Sequence, residues 1–382
     1  MYKKILLGSA ILAMALNLQA NEVQNLDAKV SALTEEIANM KESGFDATPG
    51  NELTFGGYGK MDYVNYLDND DKAAKLDMYR FILYAGYEFS DRVKLVSELE
   101  WEHGGREKTG GYGIVEQAYL DIKATDNISV KVGHFIVPMG YVNLYHEPTS
   151  FNAVNRPEVE KYIIPSTWHE NGILAHGNIG KSISYQAGMV AGLNANNGID
   201  IRHMRQNGQK SKADNFGFVG RMDYKDGSGI SAGGSIYNGK ADQGNDALAG
   251  VETTLAEIHA GYNIQGFNIR ALYAMNEVKN ADKVAIKHEK EALGEGSGYY
   301  LNASYSINNE WIPFVRYENY NKADKRFDKA GVELGSADDI TNIVLGLNYR
   351  PATNVVLKVD YVMRDNKGTD DNMLELGMGY SF

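Results

Sequence analysis

The chain has 382 residues with no cysteine, 41 glycines and 25 tyrosines, and its 38 basic and 50 acidic side chains give a net charge of −12. The lack of cysteine excludes a disulfide scaffold, thiolate metal sites and a cysteine nucleophile, and the acidic balance argues against a nucleic-acid partner. A mean hydropathy of −0.39 is too polar for a protein that spans a membrane with helices, but it suits strands that have one face in water.

Residues 1–20 have the pattern of a secretory signal peptide. Lys3 and Lys4 form a short basic region, residues 5–16 are an apolar run, and Ala20 is a small residue at the expected cleavage position. The run is too short to span a bilayer. We therefore expect export, and export without another long apolar segment leaves a soluble secreted protein or a β-barrel.

Residues 21–44 predict a helix with a coiled-coil seam. Apolar side chains recur at spacings of three and four residues, at Val23, Leu26, Val30, Leu33, Ile37 and Met40. Such a short seam is marginal alone, but a trimeric barrel would hold three copies at high local concentration. We expect a periplasmic coiled coil; the alternative is a single amphipathic helix that packs on its own barrel or closes its mouth. Residues 45–51 are a predicted linker.

From residue 52 to residue 382, apolar side chains alternate with polar or small ones. Alternating segments of about ten residues match tilted membrane-crossing strands. Sixteen are predicted, at 52–66, 76–89, 92–103, 113–123, 127–136, 171–180, 182–193, 215–225, 229–238, 252–264, 266–277, 298–307, 310–320, 340–350, 354–365 and 372–382. The predicted fold is all-β, a 16-stranded antiparallel transmembrane β-barrel.

The connections between these segments alternate between short and long. Seven tight turns and eight long loops are what sixteen antiparallel strands with both ends on one side require, and outer-membrane barrels have short periplasmic turns and long outer loops. A barrel of this size leaves an aqueous channel. We expect passive diffusion of small hydrophilic solutes and ions. The alternatives are a channel selective for an anion of the phosphate type or a small organic solute, and a major surface or adhesive protein.

The third long connection, residues 137–170, is the candidate constriction. The stretch leading into it, Val132-Gly-His-Phe-Ile-Val-Pro-Met-Gly140, resembles Val-Gly-Gln-Phe-Lys-Val-Pro-Phe-Gly of the phosphate-selective porin O and P family. His134, Ile136 and Met139 replace that family's Gln, Lys and Phe. The resemblance implies a trimeric porin whose third loop folds into the lumen.

Charged side chains on this loop have two interpretations. They set solute selectivity, or they satisfy the backbone groups of an irregular segment inside a barrel. The candidates are His146, Glu147, Arg156, Glu158, Glu160, Lys161, His169 and Glu170.

Strand parity predicts which charged side chains of the wall face the lumen. The candidate pore-lining residues are Lys60, Arg80, Lys94, Glu98, Glu100, Asp121, Lys131, Arg221, Arg270, Arg316 and Lys358. Over all strands, nine cations stand against eleven anions, and the arginines are sparse. Phosphate-selective members of the family use a ladder of lumen arginines and lysines, so we expect a general pore with weak charge preference.

No motif predicts other chemistry. The aspartates at 68, 70 and 71 lack the spacing of a calcium loop, and the sequence contains no HExxH motif. Residues 229–233 match Gly-x-Ser-x-Gly but begin a predicted strand and do not lie at a strand-to-helix turn, so they are no nucleophile elbow. We expect no metal site, no cofactor and no enzymatic activity.

The chain ends on an alternating strand. Every second position is apolar, namely Leu374, Leu376, Met378, Tyr380 and Phe382. This pattern resembles the sorting signal at the end of bacterial outer-membrane barrels, which implies recognition by the barrel-assembly machinery. We therefore expect a homotrimer embedded in outer-membrane lipid, with the N-terminal helix in the periplasm.

Overall fold

The computed structural model describes residues 52–69, 71–105, 110–367 and 371–382. The predicted signal peptide, coiled-coil helix and linker lie outside these residues.

Long strands dominate the described ranges. They are β1 (Leu53–Tyr66), β2 (Lys75–Ser90), β3 (Val93–Glu102), β4 (Tyr112–Lys123), β5 (Ile128–Ile136), β6 (His169–Ile179), β7 (Ile183–Ala191), β8 (Phe216–Lys225), β9 (Ile230–Lys240), β10 (Glu252–Ile264), β11 (Phe267–Lys279), β12 (Ala292–Tyr305), β13 (Trp311–Phe327), β14 (Glu333–Leu334), β15 (Ile340–Ala352), β16 (Val355–Asn366) and β17 (Met373–Ser381).

The strands pair antiparallel in chain order and close into a barrel. The two-residue β14 pairs only with the end of β13, which itself pairs with β15, so sixteen strands form the wall in the part of the chain described. β1 pairs with β17 from Tyr58 opposite Ser381 to Tyr66 opposite Met373. The predicted 16-stranded antiparallel barrel is confirmed. β12 and β13 are longer than predicted, because their pairing continues as a ribbon as far as Ala292 opposite Phe327.

The two faces of the wall differ in polarity. Phe218, Ile236 and Ile258 are more than half exposed on the outer face, whereas Arg221 and Glu257, on the alternate positions, are buried inside. Exposed apolar side chains around the outer face are what a lipid environment requires.

In the part of the chain that the structure describes, the helices are confined to connections. One helix, α1 (Ala281–His288), lies between β11 and β12, and shorter helical turns occur at His103–Gly105, Val159–Ile163 and Asp246–Leu248. In the described ranges, no helix has the length and apolar character needed to cross a membrane.

A β-bulge interrupts the pairing of β3 with β4. Glu98 lies opposite Gln117 and Leu99 lies opposite Val115, so Glu116 is an extra residue on β4. The bulge turns Glu116 to the inside, where it is fully buried. Unbroken alternation from Asp121 predicts that Glu116 faces outward, and at this position the parity rule is wrong.

Candidate functional site: the barrel interior

The third loop, residues 137–168, lies inside the barrel and is bonded to strands on different sides of it. The Val159 amide donates to Glu318 Oε1 of β13 at 2.7 Å, and the Gly140 amide donates to Ser235 Oγ of β9 at 3.3 Å. The Val154 amide donates to Asp360 of β16. These acceptors are buried polar side chains of the inner wall. They accept the hydrogen bonds of loop amides that have no partner within the irregular backbone of the loop.

Apolar packing also holds the same loop. Val159, Ile163 and Trp168 are fully buried and belong to a hydrophobic core shared with wall residues. The rings of Trp168 and Tyr237 are 4.9 Å apart, in an edge-on arrangement that aromatic pairs favour. The wall residues of this core belong to strands from β4 to β15, so apolar packing fixes the third loop over much of the inner wall.

Several predicted pore-lining cations bind loop carbonyl oxygens. Lys358 Nζ donates to the carbonyls of Phe151 and Ala153 at 2.7 and 2.9 Å. Arg270 donates to Ser150 at 3.0 Å, and Arg316 donates to Asn155 at 3.1 Å. These contacts match the structural interpretation of charges around this loop.

Other predicted wall charges form ion pairs. Lys60 pairs with Asp62 at 2.5 Å, and Arg80 pairs with Glu100 at 2.9 Å. Arg221 pairs with Asp223 at 2.7 Å, and Lys94 pairs with Glu88 near the tight turns.

Two predicted wall residues have different partners. Asp121 lies 3.0 Å from His176 Nε2. Lys131 lies over the Tyr119 ring, with its Nζ 4.9 Å from the ring centre.

The carboxylates of the third loop are also partnered. Glu158 accepts hydrogen bonds from Tyr320 Oη and Arg364 Nη2, the latter at 2.8 Å. Glu160 accepts one from Tyr300 Oη at 2.7 Å, and Glu147 accepts one from Ser150 Oγ at 3.3 Å. His146 points between two glutamates of the wall, Glu98 and Glu116.

The sequence predicts that His169 and Glu170 belong to the third loop, and this is wrong. They are the first residues of β6. Ile136 pairs with His169 and Phe135 pairs with Glu170, so β6 begins two residues before its predicted start. His169 Nδ1 lies 2.7 Å from His134 Nε2. Glu170 accepts a hydrogen bond from the Gln206 amide at 2.8 Å. Glu170 therefore fixes the fourth loop, residues 192–215.

Two water-accessible cavities formed by the described residues lie in the barrel interior. The larger, about 820 Å³, lies towards the long loops, and we call it the loop-end vestibule; among its lining residues are Tyr66, Tyr112 and Gln209. The smaller, about 600 Å³, lies towards the tight turns, and we call it the turn-end vestibule; among its lining residues are Lys225 and Gly266.

The loop-end vestibule is rich in cations. Its basic lining residues are Lys60, Arg80, Arg156, Lys161, Arg202, Arg205 and Arg364, and its acidic ones are Glu100, Glu102, Glu158 and Glu375.

The acids of this vestibule are already bound. Arg80 pairs with both Glu100 and Glu102, Arg364 pairs with Glu158, and Asn155 Nδ2 donates to Glu375 at 2.8 Å. Within the described residues, by contrast, no carboxylate lies at ion-pair distance from four of the cations, which are Arg156, Lys161, Arg202 and Arg205. The vestibule therefore has excess positive charge, although the whole chain is acidic.

Arg202 and Arg205 belong to the fourth loop and are absent from the residues predicted from sequence. Arg202 Nη1 donates to the Lys161 carbonyl at 3.2 Å, and Arg205 Nη1 donates to the Pro165 carbonyl at 3.0 Å. Ile201 and Met204 beside them are buried in the core. In the sequence, the alternation of apolar and basic residues from Ile201 to Arg205 was the signal that this loop also folds inward.

Arg156 is crowded by like charge. Burial and the neighbouring charge of Arg80 lower the pKa of Arg156. An anion beside these two guanidiniums would relieve the repulsion between them.

The turn-end vestibule has a similar bias. Arg221, Lys225, Arg270 and Arg350 line it, against Asp223. Arg350 Nη2 donates to the Thr149 carbonyl at 2.7 Å. Both vestibules thus have more basic than acidic lining residues.

Comparison with known proteins agrees with this architecture. The model of the family described as Gram-negative porin matches residues 39–369. An uncharacterized protein of Aquifex aeolicus (strain VF5) is 32% identical over 344 residues, which cover 84% of this chain and 77% of that protein.

Two solved structures share the fold. The in-vitro folded outer membrane protein OmpT of Vibrio cholerae in its trimer form has a TM-score of 0.55 at 15% identity, over 87% of this chain and 100% of that one. An anion-selective porin from Comamonas acidovorans has a TM-score of 0.57 at 14% identity, over 87% and 100%. With the family match over most of its length and the closed 16-stranded barrel, the chain belongs to the Gram-negative porin family.

Proposed function

We propose that this outer-membrane porin, a passive diffusion channel, prefers anions among the small hydrophilic solutes that it passes. The observation that supports the preference is the set of four loop cations, Arg156, Lys161, Arg202 and Arg205, that line the loop-end vestibule without a carboxylate partner in the described residues. Charges that line a narrow aqueous path raise the local concentration of ions of opposite sign.

The same cations are poorly arranged for a tight anion site. Phosphate needs several converging donors to replace its lost hydration. Arg202 and Arg205 already donate to backbone carbonyls of the third loop, so part of each guanidinium is occupied. The proposal is therefore a broad electrostatic preference instead of selective phosphate binding.

Neutralising the two fourth-loop arginines tests this proposal. We expect the double variant Arg202→Gln with Arg205→Gln to be less selective for anions. The measurement is the reversal potential of single channels in planar bilayers under a KCl gradient, which should shift in the direction of greater cation permeability. The matched control is Lys329→Gln, which removes a positive charge from an exposed loop position outside both vestibules. The control should keep the wild-type reversal potential.

Three results would count against the proposal. Equal reversal potentials in the double variant and the control would show that these arginines do not set the anion preference. A saturating current that micromolar phosphate blocks would indicate a selective anion channel. A folded protein without conductance would favour a surface or adhesive role.

The same proposal includes a homotrimer in outer-membrane lipid, inserted by the barrel-assembly machinery, with the N-terminal helix in the periplasm. The trimer form of the similar Vibrio cholerae protein supports the oligomeric state. The family and the fold point to a channel rather than to an enzyme, and we assign no reaction to the chain.

A further inference from the structure

Two carboxylates and one imidazole meet where the third loop touches β3 and β4. Glu98 of β3, Glu116 at the bulge of β4 and His146 of the loop are all buried, and a ligand atom from each lies within 4.8 Å of the other two. His146 Nε2 is 3.4 Å from Glu116 Oε1 and 3.8 Å from Glu98 Oε1.

The facing atoms of this cluster lack hydrogen-bond partners. Glu116 has no solvent exposure, yet neither of its carboxylate oxygens accepts a hydrogen bond from a residue in the described ranges. Glu98 Oε1 and His146 Nε2 are likewise without one. A buried carboxylate needs a compensating partner, and Glu116 is aimed at the centre of the cluster.

Neighbouring groups orient two of the three side chains, His146 and Glu98, towards that centre. His146 Nδ1 lies 3.0 Å from the Asn143 carbonyl oxygen, so in the neutral ring Nδ1 carries the proton and Nε2 presents its lone pair to the carboxylates. Gln117 Nε2 donates to Glu98 Oε2 at 2.6 Å, which leaves Oε1 facing inward. Hydrogen bonds of this kind, from the far side of each ligand, are usual around metal-binding histidines and carboxylates.

The local charge also favours a cation. Arg80 is engaged by Glu100 and Glu102 at 2.9 and 2.6 Å. The four glutamates of β3 and β4 outnumber the two guanidiniums that act on the cluster, those of Arg80 and Arg156. A cation bound at the centre would reduce this excess of negative charge.

We propose that Glu98, Glu116 and His146 bind one divalent transition-metal cation, with Zn²⁺ as the test case, and that the ion fastens the third loop to the wall. Carboxylate oxygen and imidazole nitrogen are ligands that Zn²⁺ accepts at about 2.0–2.2 Å, with a fourth position open to water. Binding at those distances would draw the three side chains closer together. The sequence predicts no metal site, because it does not reveal the bulge that turns Glu116 inward.

Equilibrium dialysis of the folded full-length porin against Zn²⁺, followed by metal analysis, tests the site. We expect one Zn²⁺ per chain, and at least about a tenfold loss of affinity in Glu116→Gln and in His146→Gln. The matched control is His176→Gln, which removes a half-buried imidazole that faces a single carboxylate, Asp121 at 3.0 Å. This control should bind Zn²⁺ like the wild type.

Migration of each variant as the folded band in a cold detergent gel establishes that it is folded. The proposal fails if the folded wild type retains no Zn²⁺, or if both ligand variants bind Zn²⁺ as tightly as the wild type. Because metal content is measured without current, the result is independent of the anion preference proposed above.

Discussion

Glu158 is one residue that holds the third loop to the wall by charge, through its ion pair with Arg364. Burial by itself raises its pKa, but the Arg364 charge and hydrogen bonds from Tyr320 and Asn342 outweigh burial and hold the pKa of Glu158 below its usual value. A lowered pKa in the folded state means that the contact contributes stability above the unfolded pKa of about 4.3. That contribution is lost as the pH falls through the folded value.

We therefore expect open-channel current noise to rise at acid pH, as Glu158 becomes protonated and the loop loosens. The Glu158→Gln variant should be noisy already at pH 7, because it lacks the charge that binds Arg364. Single-channel recording at pH 3 and pH 7 measures this effect. Glu310→Gln, at an exposed tight turn, is the control. A quiet Glu158→Gln channel at pH 7 would contradict the assignment.

At the scale of elements, alternation along the strands predicts the barrel and most of its inner face. Arg80, Arg221 and Arg316 are buried inside, as their parity indicates. The rule does not predict Glu116, because a bulge is decided by the fit of two strands and not by either sequence alone. The arginines of the fourth loop are missed for a related reason: a long polar connection does not reveal whether it folds inward.

Gly133 of β5 is a strand position where a side chain does not fit. Its φ is 137°, and an added Cβ would lie 2.6 Å from the Ala118 carbonyl oxygen of β4. We expect Gly133→Ala to destabilise the barrel by about 1–3 kcal/mol, measured as a lower urea midpoint of the folded protein. The control is Gly220→Ala in β8, where the nearest atom to an added Cβ is 3.9 Å away. Equal midpoints for the two variants would refute this account of Gly133.

At the scale of the whole molecule, net charge says little about the pore. The chain carries −12 overall, yet both vestibules have more basic than acidic lining residues. The family match is to Gram-negative porins in general. Membership of the phosphate-selective O and P group, which rests on about ten residues around the start of the third loop, stays a prediction.

The backbone of Phe382 takes part in closing the barrel, whereas its side chain is predicted to act in assembly in cells. The Phe382 amide and carbonyl each bond Gly57 at 3.0 Å, while its side chain is exposed. We expect Phe382→Ala to reduce the amount of barrel inserted in cells, because the exposed ring is the predicted recognition feature, and to leave refolding in detergent unchanged. Phe89→Ala, another exposed aromatic, is the control. Normal insertion of Phe382→Ala would count against a sorting role.

The attachment of the third loop to β9, β13 and β16 also has a mechanical consequence. A hollow cylinder is easily flattened by sideways compression, whereas one braced by an internal strut keeps its cross-section. In this barrel the loop is that strut, since its bonds reach different sides of the wall. Stretching or thickening the surrounding bilayer should therefore leave the conductance of the channel almost unaltered.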